Sequence, residues 1–181
     1  KAIKENRYSE AVALLKETEF YPHNLGEGKL SNAEENEVDY YKGIAYQKLG
    51  NDAESTKYLM KATQGSTEPQ QAFYYNDQQP DKIFYQGLAW RALGEENKAR
   101  SRFNKLIDHG KKHLFDDCKI DYFAVSLPEL AIWEDNLNIR NQIHCYYVMA
   151  LGYSGLGKEE LAEEYYEKVK RLDVNKQVFR M

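Results

Sequence analysis

YYKGIAYQKLGNDAESTKYLMKA, running from Tyr40 to Ala62, decides the reading of this chain, because two later stretches repeat its pattern without a gap. They are FYQGLAWRALGEENKARSRFNKL from Phe84 and YVMALGYSGLGKEELAEEYYEKV from Tyr147. In register, Gly43, Gly87 and Ala150 share a small position, Tyr46, Trp90 and Tyr153 follow three residues later, and Gly50, Gly94 and Gly157 four after that. Five further on stand Ser55, Ala99 and Ala162, followed by the bulky Leu59, Phe103 and Tyr166. Self-similarity of this kind is the mark of a repeat architecture.

Each spacing has a physical reason if the unit is a pair of antiparallel helices sharing one apolar seam. Small residues let the helices approach. The aromatics one turn beyond lie on the same face and fill the space between. The glycines after Leu49, Leu93 and Leu156 end the first helix, since glycine takes the left-handed conformation without a Cβ penalty. Ser or Ala then opens the facing helix.

This pattern resembles the tetratricopeptide repeat (TPR) family, whose motif runs W-x2-L-G-x2-Y, then Ala-x3-Phe, then Pro. The usual leading Trp and closing Pro are absent here. The resemblance implies an all-α, TPR-type helical-hairpin solenoid with extended inter-repeat connectors. The chain is expected to form a single array over 1–181, with full repeats at about 36–64, 80–108 and 143–171. A partial repeat at 1–18, NRYSEAVALLKET with Ala11 and Leu15, supplies only a second helix. The chain therefore reads as a piece of something longer.

The helix-opening residues stand at 11, 55, 99 and 162, steps of 44, 44 and 63, against a family period of about 34. The surplus falls between the repeats. FYPHNLGEGKLSNAEE reads as a loop, and the second connector as holding a short helical piece from Pro69 to Tyr75. The third, about 109–140, is a helical insert: Ile120, Tyr122, Phe123, Val125, Leu127, Leu130, Ile132 and Trp133 need cover, and Pro128 suits the first turn of a helix.

Composition narrows the function. The 181 residues carry 25 Lys plus Arg and 29 Asp plus Glu, a net charge of −4, without a basic block to follow a phosphate backbone, so nucleic acid is not an expected partner. No run approaches the roughly 20 apolar residues of a membrane span, so no membrane insertion is expected. Cys118 and Cys145 form neither a CxxC pair nor a disulfide framework and read as free thiols, compatible with a reducing, cytoplasmic setting.

In the TPR family the first helices line a concave groove that contacts ligand. Carried over by position, that face resembles Tyr40, Ile44, Gln47 and Lys48 in the first full repeat, Phe84, Leu88 and Arg91 in the second, and Tyr147, Leu151 and Ser154 in the third. Such a surface suits a peptide or protein segment with apolar anchors, or a neighbouring domain of the parent chain. An aromatic stripe at helical spacing is also what a core looks like, so Tyr40, Phe84 and Tyr147 divide between the two readings. A clamp for a C-terminal carboxylate needs Lys, Arg and Asn at these positions. Only Lys48 and Arg91 are basic. The uncapped N-terminal repeat edge is a further candidate surface, for dimerisation.

No catalytic residue, cofactor or metal ligand is assigned. His109, His113, Asp116, Asp117 and Cys118 cluster in sequence, but Gly110 is read as interrupting the helix between the histidines. The HGKKH stretch is read instead as basic residues favouring a helix C-terminus. Adjacent His144 and Cys145 point about 100° apart on a helix, and no third group orients them. The EELAEEYYEK carboxylates lie on a solvated helix face. The function implied is a protein-interaction or scaffolding module. The alternative is a structural C-terminal appendage of a larger enzyme, since YYNDQQPDKIFYQGLAWRALG and KIDYFAVSLPELAIWEDNLNIRNQIHCYYVMALGY resemble the C-terminal repeats of large bacterial proteins with an N-terminal β-rich domain similar to carbohydrate-active enzymes.

Overall fold

The computed structural model describes residues 1–21, 34–71, 78–119 and 136–173. Among these the chain forms seven α-helices and no strand: α1 (Tyr8–Glu17), α2 (Asn36–Lys48), α3 (Asp52–Ala62), α4 (Pro80–Ala92), α5 (Glu96–His113), α6 (Leu137–Gly155) and α7 (Glu159–Leu172). The loop expected in the first connector and the helices expected from Ile120 to Trp133 lie outside the described residues. So does most of the helix expected from Pro69 to Tyr75, and its described start, 69–71, is not helical.

The three hairpin turns are built alike. Gly50, Gly94 and Gly157 have φ of +73°, +83° and +70°, the left-handed conformation that glycine alone adopts cheaply. The amide after each glycine closes the turn by donating to the carbonyl of the aromatic position: Asn51 to Tyr46 at 3.0 Å, and Glu95 to Trp90 and Lys158 to Tyr153 at 2.9 Å. This is a Schellman closure, made three times from three different sequences.

Two compact units result, Lys1–Thr67 with Asp81–Arg102, and Glu68–Pro80 with Phe103–Met181. In the first, α2 packs on α3 and α1 on α2. Leu59 and Ala62 of α3 form a core with Ala89 of α4, flanked by Tyr40, Ile44, Ala92 and Leu93. Gly43 earns its place here, because a Cβ would lie 2.6 Å from Leu59 Cγ. Tyr46 stacks on Tyr58 at 5.6 Å. Lys42, fully buried, pairs its Nζ with Glu19 and lies 5.3 Å from the Tyr58 ring centroid. The equivalent residue of the second repeat is Gln86, which donates to the carbonyls of Gln64 and Ser66 beyond α3 and accepts from Arg102 Nε at 3.1 Å.

In the second unit α6 packs on α7. Ile107, Met149, Ala150, Tyr153, Ala162 and Tyr166 form its core, and Tyr153 stacks on Tyr165 at 5.5 Å, the counterpart of the Tyr46 pair. Gly110 does not interrupt α5. It is a buried interior residue, and a Cβ there would lie 2.6 Å from the Cys145 carbonyl oxygen. The helix accepts the propensity cost of glycine because that contact with α6 leaves no room for a side chain. α6 starts at Leu137, earlier than the expected 143, where the Asn136 side chain accepts from the amides of Asn138 and Ile139 at 3.1 Å, a standard N-cap.

Candidate interaction surface

The first-helix face of the first unit is built from α2 and α4. The residues expected on it separate by burial. Gln47, Lys48 and Arg91 are exposed, and Tyr40 and Ile44 are half-buried. Phe84 and Leu88, however, are 2% and 6% exposed. Those two positions turn toward packed neighbours, with Phe84 edge-on to Tyr85 at 5.7 Å, and at that exposure they offer little to a ligand. The second unit repeats the division: Tyr147 and Ser154 are half-buried, while Leu151 is 1% exposed. Tyr147 packs beside the core with its ring 6.4 Å from that of Tyr166.

A cluster that the sequence reading passed over lies beside Tyr40. The Tyr40, Tyr41 and Tyr85 rings are 5.3 to 5.7 Å apart, and the Tyr41 and Tyr85 hydroxyls share a hydrogen bond at 3.3 Å. Lys82 Nζ bonds Glu37 at 2.7 Å at its margin. Burial raises the Tyr85 phenol pKa, and the Tyr41 bond, Asp81 and Glu37 add to the shift. Burial also raises the Asp81 carboxyl, against the attraction of Lys82. The signal was present: the step of 44 that aligns Gly43 with Gly87 also aligns Tyr41 with Tyr85.

Arg91 is committed within its own hairpin. Its guanidinium donates to both Glu96 carboxylate oxygens, at 2.9 and 3.1 Å, and Arg91 then Arg100 hold that carboxyl below its usual range. A bidentate pair of this kind already uses the geometry that a carboxylate clamp would need.

The histidine region gathers in the second unit. His109 and His113 on α5 have ring centroids 4.6 Å apart, and His144 of α6 stands edge-on to His109 at 6.0 Å. Two of the three are engaged elsewhere: His113 Nδ1 with Asp116 at 2.6 Å and His144 Nε2 with the Gln70 carbonyl at 2.7 Å. Among the described residues no group of three or more His, Cys, Asp or Glu is arranged to hold a metal ion. Burial, then the Asp116 charge, pushes the Cys145 thiol up to about 12, and Cys145 Sγ contacts Asn141 Oδ1 at 3.6 Å. A thiol held neutral this firmly is a poor nucleophile. No described helix is long and apolar enough to cross a membrane.

Comparison with known protein families finds a match over one stretch of the chain. Residues 83–109, which cover most of α4 and α5, match the tetratricopeptide repeat model. The all-α architecture of repeated helical hairpins agrees with that match, and repeats of this type generally mediate protein–protein interaction. No solved structure matches the chain.

Proposed function

We propose that this chain is a protein-interaction module that takes a peptide or protein segment on the first-helix face of its repeats. The carrying observation is the tyrosine cluster of α2 and α4. Tyr40 and Tyr41 are half-buried, so each leaves part of its side chain accessible beside the packed Tyr85. Rigid aromatics with polar tips provide large contact area at little entropic cost, which is why tyrosine dominates binding surfaces. Gln47 and Lys48 are exposed at the C-terminal end of α2, where they can contribute polar contacts. Tyr147 and Ser154 give the same face of α6 an aromatic and a hydroxyl.

The test is selection of binders from a random peptide library on the immobilised chain, followed by titration of a selected peptide against variants. Tyr40→Ala with Tyr41→Ala should weaken binding at least about tenfold, the effect of losing an interface anchor. Met60→Ser, which changes an exposed residue of α3, should leave it unchanged. Equal affinity for all three proteins would refute the assignment of this face.

A further inference from the structure

The contact among half-buried His109, His113 and His144 stands apart from the apolar cluster of Ile107, Met149, Ala150, Tyr153, Ala162 and Tyr166 in the same unit. Imidazoles from two helices meet there within 4.6 and 6.0 Å. His109 sits in the middle, and its Nε2 is buried without a hydrogen-bond partner among the described residues. Beside it Gly110 brings α5 against the backbone of α6 at Cys145, so the site has no slack. A neutral imidazole is tolerated in such a place. An imidazolium is not, because its second N–H would be buried without an acceptor.

Among the described residues, the groups facing His109 come from three stretches of chain. On α5 and the turn after it are His113, Lys112 and Asp116, and on α6 is His144. The stretch before α4 adds the Gln70 carbonyl, already bonded by His144. The one carboxylate in this set, Asp116, is bonded to His113 at 2.6 Å. His113 therefore has a carboxylate partner and His144 a backbone acceptor. A proton on His109 meets the Lys112 ammonium and finds Asp116 already bonded to His113. Lys111, Lys112 and His113 also already occupy the C-terminal turn of α5, where the helix dipole attracts cations.

We infer that the three-histidine contact is an acid-sensitive latch, holding the last turn of α5 against α6 while His109 is neutral and releasing it when His109 takes a proton. Burial and then His113 lower the His109 pKa to about 4, so the latch is closed at neutral pH and comes under increasing load as the pH falls below the ordinary histidine range. Release would expose the α5–α6 seam of the second unit locally, without requiring the first unit to unfold.

The experiment is amide hydrogen exchange on the intact chain, expressed as protection relative to the unfolded rate at each pH. Between pH 7 and pH 4.5, protection of amides at 109–113 and 138–145 should fall on the order of tenfold or more, while the α2–α3 hairpin changes far less. His109→Phe keeps an aromatic ring and cannot be protonated, so it should abolish the difference. His113→Asn, which removes the nearest imidazole and so raises the folded-state pKa of His109, should make the loss smaller. The inference is overturned if both regions lose protection in parallel, or if His109→Phe loses it as the wild type does.

Discussion

At the level of single residues, two packing contacts carry sharp predictions. Gly110→Ala adds one methyl group and improves helix propensity by up to about 1 kcal/mol. Yet that methyl would stand 2.6 Å from a backbone oxygen of α6, which cannot rotate away. The net expectation is a loss of about 1–3 kcal/mol, read as a lower urea midpoint with an unchanged slope. Lys42 tests a different effect. A buried ion pair recovers little more than its own desolvation, and replacing it with a well-packed apolar group is often neutral or better. The third repeat has Met149 at the equivalent position. Lys42→Met should therefore leave stability within about 1 kcal/mol of wild type, whereas Glu19→Gln, which strands the buried ammonium, should cost on the order of 2–3 kcal/mol. Denaturation of both variants under one set of conditions would show that ordering or its reverse.

At the level of elements, the helix ends are fixed by a few polar devices. Gly94→Ala meets no atom within 4 Å, so its cost is backbone conformation alone, roughly 1–2 kcal/mol. Asn141 is fully buried and donates to the His113 carbonyl at the end of α5 at 2.7 Å. Asn141→Ala would leave that carbonyl short of a donor and cost about 1–3 kcal/mol, with the loss of exchange protection concentrated in α5 and α6. These two cases also show how much was legible in advance. The glycine turns could be read from sequence because a positive φ leaves a residue type behind, at the same register three times. The Asn141 contact could not, since it joins residues 28 apart and an asparagine inside a helix carries no mark of its partner. The length of α5 was hidden for a related reason: Gly110 has the composition of a helix breaker, and only the proximity of α6 makes it a packing residue. Repeat position alone puts Phe84 and Leu88 on the first-helix face, where both are buried. Burial depends on neighbouring helices, which one repeat's pattern does not contain.

At the level of the molecule, acid stability should be uneven in a predictable direction. His109 has its pKa lowered from 6.5 to about 4, so the unfolded chain binds more protons than the folded one between those values. Stability is then flat above about pH 6.5, falls as the pH drops toward 4, and levels below that, with a ceiling near 3 kcal/mol. Asp39 and Asp81 act with the opposite sign. Burial, the largest influence on each, raises their pKa values, so protonating them in the carboxylate range relieves a cost of folding. Urea midpoints measured from pH 8 to 4 should show the histidine loss first, and His109→Phe should flatten it. The all-α class was visible in sequence at this scale because it rests on local periodicity. The division into two units was not, because Phe103, where the second unit's longer segment begins, stands in the same register as Leu59 of the first.

The hairpin turns have one consequence for how this molecule can be studied. Each is closed by main-chain hydrogen bonds and one glycine, so the turn does not dictate the side chain after the glycine, and the exposed Glu95 and Lys158 differ completely. A fluorophore or spin label attached at either place would sit on the same backbone geometry. Two such labels form an internally matched pair, and any difference between their spectra would come from what surrounds each hairpin and not from the attachment itself.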